Sequence, residues 1–155
     1  MLKMPEIPCI VREATDEQAY DLSISENLQR EDVPPMEAAE AYKRLIDTKR
    51  YDIPSLAVAY GKSEKSIYTM LKLCDLIPGI AKLVREGKLT ASAGIVISKY
   101  DKKMQADLLK DRLGEDGRGE WCSISAGVLE GKIQSYYTNN LENYLFNKTA
   151  CLKCP

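Results

Sequence analysis

Six polar side chains within one short stretch, Lys62, Ser63, Lys65, Ser66, Thr69 and Lys72, carry the groups that nucleic-acid recognition uses. Ammonium groups pair with phosphate or with guanine acceptors, and hydroxyls donate or accept at base edges. Glu64 is the discordant member, since a carboxylate repels phosphate; its place at a helix start suits stabilisation of the N-terminal dipole. Catalysis finds fewer tools. The 155 residues contain no histidine, which removes the commonest general base and zinc ligand and leaves carboxylates, Lys, Tyr and Cys. Of five cysteines, at 9, 74, 122, 151 and 154, only Cys151 and Cys154 have Cys-x-x-Cys spacing. That is half a zinc knuckle, and two further ligands are not supplied. Reduced thiols are expected, with Cys9 and Cys74 packed among apolar residues.

The elements that must position the six polar residues read as a helix-turn-helix over 53–73. Such a hairpin needs a small residue in its first helix, a glycine at the turn, and an apolar plug early in the second helix. Ala57, Gly61 and Ile67 have that spacing, and Leu56, Tyr60, Met70 and Leu71 fall on the inner faces. Lys62, Ser63, Lys65, Ser66, Thr69 and Lys72 are then left to the turn and the outer face.

The rest of the chain reads as mainly α. Thr15 with Gln18 forms a capping box for a helix over 16–30, Pro34 and Pro35 break it, and 36–48 resumes. Past the hairpin, Pro78 opens a helix that Gly87 ends, and further helices are expected at 90–97 and 101–113. A glycine-rich loop at 114–119 precedes a last amphipathic helix capped by Ser123 and reaching Tyr137. Trp121 and the tyrosines at 136, 137 and 144 read as core rather than as a dimer surface. The branched run in 6–13 suits one orphan strand.

Composition sets outer limits. An apolar content of 45% suffices for a core. No apolar run approaches the roughly 18 to 20 residues of a membrane span, and no signal peptide opens the chain, so a cytoplasmic protein with no membrane partner is expected. Net charge is −1, yet its distribution is uneven. Residues 1–41 hold 3 basic and 10 acidic side chains, 42–113 hold 15 and 8, and 114–155 hold 4 and 5. A surplus of seven positive charges across the helical middle is what counterion release from DNA requires. A solvated helical surface would also carry it.

One segment is more specific than any of these patterns. Glu26-Asn-Leu-Gln-Arg-Glu-Asp32, followed by Pro35 and Glu37-Ala-Ala-Glu-Ala-Tyr42, closely resembles the ParB family of partition proteins, and the likeness extends over about residues 1–100. It implies three regions: 1–50, the end of an α/β nucleotide-binding N-terminal domain; 51–113, the helix-turn-helix domain; and 114–155, a loop, last helix and tail. It further implies recognition of a centromere-like DNA site, a homodimer on a palindrome, a ParA-type ATPase partner, association with the nucleoid, and CTP with magnesium. By resemblance Glu26 and Asn27 would assist metal and phosphate, and Arg30 would pair with phosphate. The chain begins just after the place of that family's Gly-Glu-Arg-Arg box, so no whole nucleotide site is expected. Read this way it is an engineered fragment or a natural shortened relative, with the fragment favoured.

The leading expectation is therefore sequence-specific DNA binding in chromosome or plasmid partition, without enzymatic activity in this chain. A transcriptional or plasmid-copy regulator uses the same physics. A CTPase or nuclease, with Glu26, Asp32 and Glu37 around a metal, belongs to a different class. So does a protein-binding scaffold using Tyr20, Tyr42 and the acidic first segment, for which no salt-dependent affinity for DNA is expected.

Overall fold

The computed structural model describes residues 9–11, 13–30 and 32–137. Eight α-helices occupy most of this span: α1 Asp16–Leu28, α2 Pro35–Asp47, α3 Ile53–Tyr60, α4 Glu64–Leu71, α5 Pro78–Arg85, α6 Ala91–Ser98, α7 Lys102–Leu108 and α8 Ala126–Tyr137. No strand occurs among the described residues. Most of the strand expected over 6–13 lies outside them, and Cys9, Ile10 and Val11 are irregular and exposed. Cys9 is thus exposed rather than packed, since no element among the described residues covers it. The tail from 138, with Tyr144, Cys151 and Cys154, also lies outside the described residues.

Local chemistry sets most helix ends. The Thr15 hydroxyl accepts from the Gln18 N–H at 3.3 Å and the Gln18 side chain accepts from the Thr15 N–H at 3.1 Å, the capping box read from sequence. Asp52, Ser63, Thr90 and Asp101 cap α3, α4, α6 and α7 by a single bond each, the side chain accepting from the backbone N–H three residues on. Pro35 and Pro78 stand in the first turns of α2 and α5. Gly61 ends α3 with φ 61°, letting the Lys62 N–H reach back to the Ala57 carbonyl at 3.0 Å.

Three expectations on the C-terminal half need correcting. Residues 101–113 are not one regular helix, because α7 gives way to a π-turn over Leu109–Leu113. Leu108 and Leu113, five apart, are both fully buried, and a wider turn is what brings such a spacing onto one face. Ser123 does not cap α8, which begins at Ala126; Ser125 precedes it and its carbonyl accepts from the Leu129 N–H at 2.9 Å. Trp121 is core at 1% exposure, and Tyr137 is half-buried with its ring edge-on to Trp121. Tyr136 remains 65% exposed although its ring also meets Trp121 edge-on, centroids 5.6 Å apart, so it covers the rim of the core rather than filling it.

Apolar side chains collect into two clusters. One holds Leu28, Ala38, Tyr42, Leu45, Leu56 and Ile67, joining α1 and α2 to α3 and α4. The larger one gathers α5 to α8 around Leu73, Ile80, Leu83, Ile97, Trp121 and Leu129. Helix α2 contributes Met36 and Ala39 to the second and Tyr42 and Leu45 to the first, and Met70 packs against both. The hairpin is therefore set on a rigid base rather than hung from a linker.

Candidate nucleic-acid interface

Helices α3 and α4 meet as a helix-turn-helix whose inner side is sealed by Leu56 at 0% and Ile67 at 1% exposure. Ala57, Tyr60, Met70 and Leu71 are partly buried around them. Tyr42 of α2 closes the rear with an edge-on contact to the Tyr60 ring, centroids 5.9 Å apart. The Tyr60 hydroxyl donates to Ser25 of α1 at 3.1 Å. These contacts use one side of α4 and leave the other to solvent.

On that free side the six expected residues divide by what already holds them. Lys62 in the turn, and Lys65 and Ser66 in the first turn of α4, are exposed, and neither lysine has an ion-pair partner among the described residues. The Ser63 hydroxyl accepts from the Ser66 N–H at 3.1 Å, so it serves as the N-cap of α4. Thr69 turns its hydroxyl back onto the helix, donating to the Lys65 carbonyl at 2.7 Å. Beyond α4 the chain tightens into a 3₁₀ turn over Lys72–Asp75, and the Lys72 ammonium lies 3.7 Å from the Asp75 carboxylate. Glu64 is exposed in the first turn of α4, the place that favours a negative charge. Tyr68, absent from the sequence reading, shares the outer face at 55% exposure. Its position, one turn after Glu64 and one before Lys72, was the available signal; a tyrosine's usual preference for core obscured it.

The positive surplus of the middle segment is unevenly available. Lys82 and Lys88 pair with Glu86, Arg85 with Glu40, Lys99 with Glu130, and Arg112 with Glu120. Lys62 and Lys65, at the hairpin, have no such pair among the described residues, and neither do Lys43, Lys49, Lys103 and Lys110.

The three residues that the resemblance assigned to nucleotide and metal are only partly together. Asn27 and Arg30 line one open cleft with Asp32, Val33, Pro34 and Glu37, and Glu26 is not part of its wall. The Arg30 guanidinium sits 3.4 Å from Asp32, with both side chains largely exposed. One amide and one paired cation on an open surface do not make a triphosphate site by themselves. Among the described residues no group of three or more acidic or cysteine side chains could hold a metal ion, so Glu26, Asp32 and Glu37 do not converge on one. Burial pushes the Cys74 and Cys122 thiols up, and Cys122 donates to the Leu113 carbonyl at 3.2 Å. Both are packing groups rather than nucleophiles.

A helix-turn-helix braced by a helix in front and a helical bundle behind defines the class: a helical domain built to present α4. The sequence matches the ParB HTH domain over residues 31–116, more than half of the chain, and the protein belongs to that family. It is 38% identical over 87 residues to the chromosome-partitioning protein ParB of Myxococcus xanthus (strain DK1622), covering 56% of this chain and 29% of the relative. It is 28% identical over 116 residues to a nucleoid occlusion protein of Lysinibacillus sphaericus (strain C3-41), covering 74% and 39%. The chain thus spans well under half the length of these relatives. Its fold is similar to that of the C-terminally truncated chromosome-partitioning protein ParB from Caulobacter crescentus complexed to the centromeric parS site, with TM-score 0.60 and 23% identity over 83% of this chain and 64% of that one. No helix among the described residues is long and apolar enough to cross a membrane.

Proposed function

We propose that this chain binds double-stranded DNA sequence-specifically, with α4 entering the major groove, as the site-recognition part of a chromosome- or plasmid-partition protein. The observation that carries this reading is the division of α4 into two sides. Ile67 and Leu56 anchor it from behind, while Lys62, Lys65 and Ser66 present groups free of other work. Lys62 and Lys65 contact phosphates, Ser66 reaches base edges, and Ser63 and Thr69 fix the helix while their remaining hydrogen-bonding capacity faces the groove. Lys72 reaches a phosphate by leaving Asp75, at little cost because an exposed ion pair is weak. The similarity to chromosome-partitioning and nucleoid-occlusion proteins supports a nucleoid-associated role, and the proposal includes a twofold homodimer on a palindromic site, since one recognition helix covers few base pairs, with a ParA-type ATPase as partner. CTP with magnesium would need groups beyond Glu26, Asn27 and Arg30, and no step of DNA recognition is routed through them.

The test is titration of a fluorescent random-sequence duplex library at two salt concentrations, with wild type and a Lys62→Ala, Lys65→Ala variant. Wild type is expected to bind with affinity falling steeply as salt rises, and the variant to bind more weakly with a log–log salt slope shallower by about 2. Binding absent, or indifferent to salt and to both substitutions, would overturn the assignment.

A further inference from the structure

Resting on the DNA-binding reading, we infer that Tyr68 is a specificity-determining residue, reading one thymine methyl group in the major groove with the face or edge of its ring. Several tyrosines of this chain are held by ring contacts. Tyr42 and Tyr60 are stacked edge to face, and the Tyr20 ring lies 4.2 Å beneath the Arg44 guanidinium. Tyr68 makes no such ring contact among the described residues, its hydroxyl has no hydrogen-bond partner among them, and 55% of it is exposed.

The ring is nonetheless not loose. It lines a groove together with the apolar Ile46, Ile53 and Leu71, the lysines Lys43 and Lys72 and the carboxylates Asp47 and Asp75. A side chain with two torsions, half-supported by an apolar wall, loses little conformational entropy on contact. Lys65 lies one turn before it and Lys72 one turn after, so lysines that hold phosphates on either side would fix the depth to which the ring enters. With the Ser63 and Thr69 hydroxyls bonded within the hairpin, Tyr68 is the largest outward group of α4 with no partner. The major groove offers one apolar feature for such a ring, the thymine C5-methyl.

The experiment first selects the preferred site of the wild-type chain from a random duplex library. It then replaces each thymine of that site by uracil, which removes only the methyl group. Wild type is expected to lose about fourfold in affinity at one position per half-site, the worth of burying one methyl group. Tyr68→Ala is expected to bind thymine and uracil there equally, to select a site degenerate at that base pair, and to keep the wild-type salt slope. Tyr68→Phe should retain the preference. Thermal melts should leave Tyr68→Phe at the wild-type Tm and lower that of Tyr68→Ala only slightly, since 55% of the residue is exposed. A Tyr68→Ala chain that still prefers thymine, or that weakens evenly on all sequences with a shallower salt slope, overturns the inference, the latter by revealing a phosphate contact. A Tyr68→Phe chain that behaves as Tyr68→Ala also overturns it, because the hydroxyl would then be the reader. If wild type itself enriches no sequence, the DNA-binding reading fails first and separately.

Discussion

Asp52 joins helix stability to solvent acidity through one carboxylate. It accepts from the Ser55 N–H at 2.9 Å at the start of α3. Hydrogen bonds from the Ser55 side chain and then its backbone hold the carboxyl below the ordinary aspartate range. A folded pKa below the unfolded value gives stability that is complete above about pH 4 and is lost as pH falls through the lower, folded value. Thermal melts taken from about pH 6 down to about pH 3 should therefore show a Tm that declines on the acid side. Asp52→Asn, which caps without a charge, should flatten that decline, and Asp52→Ala should lower Tm throughout. At the same scale, Ser63, Ser66 and Thr69 were chosen from sequence as outward polar groups. Their positions were legible from helical spacing, but that two hydroxyls bond within the hairpin depends on rotamers that spacing does not specify.

Single glycines show how an element's surroundings decide the sign of one substitution. Gly94 lies inside α6, where a methyl group would meet Leu73 at 3.0 Å, Val84 at 3.2 Å and Leu76 at 3.3 Å. Gly127 and Gly131 of α8 face open space. Gly94→Ala is expected to destabilise by about 1 to 3 kcal/mol through overpacking. Gly127→Ala and Gly131→Ala should each stabilise by about 0.5 to 1 kcal/mol through helix propensity, with urea denaturation as the measure. Another inter-element device is Gln105, 1% exposed. Its side-chain oxygen accepts from the Ile77 N–H at 2.9 Å, and its amide donates to the Asp75 carbonyl at 3.2 Å and the Tyr100 carbonyl at 2.9 Å. The clamp fixes the exit of the 3₁₀ turn after α4 against the α6–α7 turn. Gln105→Leu removes the partner of the Ile77 N–H and of the Tyr100 carbonyl, while Lys102 still donates to the Asp75 carbonyl, and a loss of about 3 kcal/mol is expected in the same denaturation assay.

Across the whole molecule, α2 and Met70 tie the hairpin cluster to the larger C-terminal one. Shared side chains of this kind make the two cores unfold together. Trp121, the single tryptophan, lies in the larger cluster, whereas Leu56 lies in the hairpin cluster. Leu56→Ala is expected to cost about 3 kcal/mol. It should shift the tryptophan-fluorescence and far-UV circular dichroism transitions by the same amount. Separation of the two curves would show that the hairpin melts on its own.

The sequence by itself determined the helical class, the hairpin at Ala57, Gly61 and Ile67, most helix ends and the ParB resemblance, because each rests on short-range spacing or on the side chain of a capping residue. Tertiary packing alone decided the π-turn after α7, the exposure of Tyr136 and Tyr68, and the start of α8 at Ala126. It also paired six of the middle segment's basic residues with acids and left Lys62 and Lys65 without an ion pair among the described residues. The physical reason is that a helical period says which residues share a face, whereas burial and ion pairing depend on which other element covers that face. That choice is made between residues far apart in the chain, as Tyr60 with Ser25 and Gln105 with Ile77 illustrate.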